Sequence, residues 1–176
     1  MQPGVARSIQ PAVSLLEKTP ILLETLLRDL PDELLLWKPA ADRWSISEVI
    51  AHLADLEQVY ADRTRRIVTE DAPTIKKYDL GGATVSGDYS SGTAGENLAR
   101  FSWTRRSTVI LLKSIPASSG ERTATHTELG TITLDHLLNE WASHDLGHLR
   151  QIAELYRAHA FHPYSGAFQK YSNPKP

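Results

Sequence analysis

Apolar residues in this chain recur mostly at spacings of three and four, the repeat of helices that bury one face. Thr19-Pro20 reads as an N-cap followed by proline at the first helical position, and ILLETLLRDL then continues helical to Pro31. Residues 8–18 form a preceding helical segment. SISE, Ser45 to Glu48, has the form of a capping box and opens a second helix to about Thr69. TAGE, Thr93 to Glu96, is a second capping box, and its helix runs to about Ser114, ahead of Pro116. Thr131 or Thr133 caps a fourth long helix through about His159. Between these helices lie a Gly-, Ser- and Pro-rich loop over 70–92 and a polar loop containing HTELG. The tail FHPYSGAFQKYSNPKP is irregular. Sustained strand alternation and internal repeats are absent. The expectation is an all-α, four-helix bundle with long loops, one domain over residues 1–176 with its core at about 15–159 and a tail over 160–176. The longer connections after the second and third helices permit crossovers.

Composition narrows the chemistry. A hydrophobic share of 41 % over 176 residues is enough for a core without cross-links, and the formal charge of −2 points away from a polyanion such as nucleic acid. The short basic groups, Arg63, Arg65 and Arg66 and then Arg105 and Arg106, read as solvated helix faces. With no cysteine, disulfides, thiolate ligands and a cysteine nucleophile are all excluded. The first residues lack the apolar stretch of a signal peptide, and no run approaches the roughly 20 apolar residues of a membrane span. The expected setting is cytoplasmic and soluble, without membrane partners. The glycines of 70–92 lack the GK[ST] ending of a phosphate-binding loop.

The candidate chemistry lies in EWASHDLGHLRQI, Glu140 to Ile152. At 100° per residue His144 and His148 are about 40° apart around the axis and about 6 Å apart along it. Relative to His144, Leu137 and Leu155 fall near 20°, Trp141 near 60°, and Leu134 and Ile152 near 80°, so the pair borders the core-facing stripe. Glu140 and Gln151 extend a polar row along the same edge. Buried polar groups need partners, and a divalent cation satisfies two imidazole nitrogens compactly. Core histidines bonded to their neighbours are the other reading. His52 flanks the apolar stripe Val49, Leu53, Leu56, Tyr60, Ile67 of the second helix. If the second and fourth helices pack side by side, three imidazoles meet and leave coordination positions open. Two histidines with Glu140 form an alternative set that favours iron. His126 sits in a loop that could border the site, and His136, His159 and His162 read as solvent residues. Gly147 costs about 1 kcal/mol relative to alanine in a helix, and a side chain there is expected to crowd a neighbouring helix or ligand. Asp145 occupies the HExxH glutamate position but is shorter and about 100° off, and Glu48/His52 and Glu140/His144 are spaced by four rather than the three of di-iron bundles.

LLLWKPAADRWSISEVIAHLADLE, followed far downstream by LGTITLDHLLNEWASHDLGHLRQI, resembles the DinB-like superfamily, YfiT-type proteins described as metal-dependent hydrolases. The likeness spans roughly residues 15 to 156 in the order Trp-Ser, H-L-A-D, H-D-x-x-H. It implies a four-helix bundle holding a divalent ion such as nickel or zinc on His52, His144 and His148, and a possible homodimer. Some relatives are transferases or isomerases using a low-molecular-weight thiol, so the resemblance implies either a hydrolase or a thiol S-transferase acting on a small molecule. Because the chain lacks cysteine, a thiolate must come from a cosubstrate. Glu140 and Asp55 are candidate partners that fix an imidazole tautomer. The loop 70–92 and the tail either close over the open coordination position or serve as connectors. The alternatives are a non-catalytic metal-binding bundle and a metal-free bundle with core histidines.

Overall fold

A computed structural model describes residues 9–79 and 89–176. Four long helices dominate: α1 (Gln10–Leu27), α3 (Ile46–Thr69), α4 (Ala94–Ser114) and α5 (Leu134–Tyr156), with a one-turn helix α2 (Asp32–Leu36) between the first two. The expected all-α bundle is the observed fold. Both predicted capping boxes close: Ser45 Oγ accepts from Glu48 N while Glu48 Oε2 accepts from Ser45 N, and Thr93 pairs with Glu96 in the same way. Each such cap contributes about 1 kcal/mol. Thr133 caps α5, with His136 as its reciprocal partner.

The reading of Thr19 as an N-cap is overturned. α1 runs unbroken through Pro20. Proline has no N–H for the carbonyl of Leu16, four residues back, which would normally break the helix. Here Arg105 Nη1, from α4, donates to Leu16 O at 2.9 Å, so the orphaned carbonyl is satisfied across the bundle.

α3 packs on α4 and α5, and α1 also packs on α4 and α5. The principal neighbours therefore run α1, α4, α3, α5 around the bundle. The connections after α1 and after α4 cross a diagonal, and the loop after α3 joins neighbours. Crossovers thus fall after the first and third long helices, and the residues 28–45 that include α2 make the first.

The connecting loops also hold a small sheet. β1 (Thr74–Ile75) pairs in parallel with β2 (Thr123–His126), which pairs antiparallel with β3 (Gly130–Thr133). Gly130, at φ 74°, lies in the left-handed region that the tight β2–β3 turn requires. No helix among the described residues is long and apolar enough to cross a membrane.

Two apolar clusters fill the bundle. One includes Leu16, Leu56, Tyr60, Leu112, Leu138 and Trp141, and the other Leu23, Leu53, Phe101, Ile152 and Leu155. Between them lies a buried polar layer with one member from each long helix: Thr19, Glu57, Arg105 and Asp145. Arg105 is 1 % exposed, which corrects its reading as a solvated residue. Its Nε donates to Glu57 Oε2 at 2.7 Å and its Nη1 to Asp145 Oδ2 at 2.6 Å. Thr19 Oγ1 donates to the same Asp145 oxygen at 2.7 Å. One guanidinium is thus bonded to the other three long helices.

Candidate metal centre

The capping box at Ser45 sets the phase of α3 and turns His52 inward, leaving it 4 % exposed. On α5, one helical turn separates the half-buried His144 and His148. Because α3 and α5 are neighbours, the three rings meet. His144 Nε2 lies 3.3 Å from His52 Nε2 and 3.1 Å from His148 Nε2, and one ligand-type atom from each ring lies within 4.8 Å of the others. Two imidazole nitrogens sharing one tetrahedral cation at 2.0–2.1 Å are roughly 3.3 Å apart. The donor set fits a single ion.

Hydrogen bonding among the rings does not account for this convergence. The amide oxygen of Gln151 accepts from His148 Nδ1–H at 2.9 Å, which leaves His148 Nε2 bare. A neutral His144 has one N–H and can serve only one of its two Nε2 neighbours. Burial, then the neighbouring imidazoles, push His52 down to about 3, and burial chiefly pushes His144 down to about 4. Burial also lowers His148. All three are neutral near pH 7, the form that binds a metal. His144 Nδ1 is buried without a hydrogen-bond partner among the described residues.

Aromatic rings wall the site. Trp44 lies over His52 with centroids 4.8 Å apart, and its ring is within 24° of parallel to that of His148. Tyr89 meets His52 edge-on, with its hydroxyl 3.5 Å from Nδ1 and 3.1 Å from the Tyr78 hydroxyl. Tyr60 stacks on Trp141 and presents an edge to His144. Tyr89 and Tyr78 come from the two described ends of the loop 70–92; residues 80–88 lie outside the described part. Tail residues 173, 175 and 176 line a pocket of about 590 Å³ that His144 and His148 also line. Both segments therefore contribute residues beside the histidines.

The other expected residues are placed differently. Asp55 accepts from Arg100 Nη1 at 2.8 Å and forms no hydrogen bond to an imidazole among the described residues. Glu140 is exposed and forms no hydrogen bond to an imidazole among the described residues. It lines a separate pocket with Tyr60 and His126. His126 ends β2, and its Nδ1 accepts from the main chain of Glu128 and Leu129, which ties the hairpin turn together. A Cβ built on Gly147 meets nothing within 4 Å, so the expected crowding does not exist; Gly147 opens onto the pocket instead. Sequence reasoning used Trp44 only as part of the family likeness, without placing it at the site, and passed over Tyr89 and the bond between Gln151 and His148. Gln151 carried a helical signal, three residues after His148 on the same edge, and Tyr89 carried none.

A three-imidazole cluster across two helices of a crossed four-helix bundle is an arrangement that could hold a metal ion between helices. The profile of the DinB superfamily matches residues 15–152, and the chain belongs to that family. A curated relative from Oceanobacillus iheyensis, named a "putative metal-dependent hydrolase", is 29 % identical over 140 residues, covering 80 % of this chain and 81 % of the relative. The structure of YfiT from Bacillus subtilis, described as "a probable metal-dependent hydrolase with an unusual four-helix bundle topology", aligns with a TM-score of 0.79 at 23 % identity, over 90 % of this chain and 93 % of that one. This likeness establishes the shared bundle fold.

Proposed function

We propose that His52, His144 and His148 bind one divalent metal ion and that the protein is a metal-dependent enzyme, a hydrolase of small molecules. The observation that carries this reading is the meeting of three neutral imidazoles at 3.1 and 3.3 Å beside an open pocket. The curated relative's name supports the same reaction class. A bound ion would supply Lewis acidity, polarising a substrate oxygen and acidifying water or a thiol. The protein's own contributions are positional. Gln151 fixes the tautomer and ring plane of His148. Trp44 and Tyr89 cover the outer face of His52 and exclude water from it.

Thiol S-transfer is the second reading. The absence of cysteine requires a low-molecular-weight thiol cosubstrate for it, and turnover of an electrophile with and without added thiol separates the two reactions.

Elemental analysis of tag-free protein tests the ligand assignment. Wild type is expected to hold close to one zinc, nickel or similar ion per chain, and His52→Ala and His148→Ala to fall at least tenfold below that. Equal metal content in the three proteins contradicts the assignment.

A further inference from the structure

The pocket beside the histidines has an unusual charge balance. In a chain with a net charge of −2, it is lined by three cationic side chains, Arg43, Arg150 and Lys175, and a single acidic side chain, Glu154. That carboxylate is already engaged: Oε1 accepts from Arg157 Nη1, and Oε2 from the main-chain N–H of Lys175 at 3.0 Å. None of the three lining cations forms an ion pair with an acidic side chain among the described residues, whereas other arginines and lysines in the bundle do, Arg100 with Asp55 and Lys113 with Glu17 among them. The only side-chain hydrogen bond of Arg43 among the described residues goes from Nη2 to an oxygen of Pro176, at 2.7 Å, and leaves its Nε and Nη1 open to a ligand.

Placement adds to charge. Arg43 directly precedes Trp44, whose ring lies against His52 and His148. Arg150 and Gly147 are three apart on α5 and line the same wall, and the open space at Gly147 keeps the route from Arg150 to the histidines clear. A volume of about 590 Å³ suits a metabolite-sized molecule. Like charges converging on a concave wall attract an anion, and a guanidinium matches the two oxygens of a carboxylate or phosphate.

We propose that this pocket is the substrate subsite and that it takes a small organic anion, with Arg43 and Arg150 holding its carboxylate or phosphate group and Lys175 adding charge at the rim. The proposal rests on the three-histidine reading for the direction in which the substrate points; anion capture itself depends on the two arginines. Glu154 tethers the tail that forms one wall, and Gln151 and Asn173 offer neutral hydrogen-bonding groups beside the anion.

Calorimetric titration with inorganic phosphate and with succinate tests this, on zinc-reconstituted protein and on protein stripped with a chelator. Wild type is expected to bind at least one of the two in both forms, the preferred one distinguishing phosphate from carboxylate recognition. The double variant Arg43→Gln/Arg150→Gln should raise Kd at least tenfold in both forms, with zinc content unchanged, and Arg43→Lys/Arg150→Lys should retain most of the binding. Unchanged affinity in the glutamine variant overturns the proposal. So does binding by zinc-loaded protein alone, which would make the anion a ligand of the metal, and so does absence of binding by wild type. Failure of the metal assignment registers separately, as zinc retained by His148→Ala.

Discussion

Gly147 sits mid-helix with no neighbour within 4 Å of the place a Cβ would occupy, so its conformational cost is not offset by close packing. Gly147→Ala should therefore stabilise the fold by about 0.5–1 kcal/mol. Chemical denaturation measures this, and a loss of stability would mean that a contact absent from the structure exists there. Other residues divide by whether helix geometry carries their information. His52, His144 and His148 were legible because a spacing of four converts directly into a direction on α5, and because His52 borders the stripe that packs α3. Trp44 and Tyr89 approach from loops, where no period relates sequence to direction. Arg105 was misread through its neighbour: beside Arg106 it looked like a surface cluster, although Phe101, Arg105, Thr108 and Leu112 mark one buried stripe of α4.

At the scale of elements, the capping boxes located the starts of α3 and α4 because both halves of each cap lie within four residues. The continuity of α1 through Pro20 was not legible, because its compensation comes from a side chain 89 residues away. That same side chain organises the bundle. Replacing Arg105 with methionine keeps much of its contact with Phe101 and Trp141 but strands two buried carboxylates and reopens the Leu16 carbonyl. Removing one partner from a buried ion network costs about 3–5 kcal/mol. Arg105→Met should lose that much in urea denaturation. A loss under 1 kcal/mol would mean that the polar layer does not fix the packing of the helices. The three short strands escaped sequence reading because two to four residues are too few to display alternation.

For the whole molecule, the crossed order of helices matters more than their number. It makes α3 and α5 neighbours, which brings a histidine from one against a pair from the other, and it sets both next to Arg105 on α4. The loop then supplies Tyr89 against His52, and the tail supplies Lys175 to the pocket beside His144 and His148. Fold class, the principal helices and the three histidines could be read from periodicity, caps and family likeness. The walls of the site could not, since they are assembled by contacts between segments far apart in the chain. The central claim is that three imidazole nitrogens share one ion. X-ray absorption at the metal edge of the zinc-loaded protein tests it most directly. The account predicts three imidazole scatterers at about 2.0–2.1 Å, falling to two in His52→Ala at saturating zinc. A spectrum fitted by oxygen ligands alone, or one left unchanged by that substitution, would contradict it.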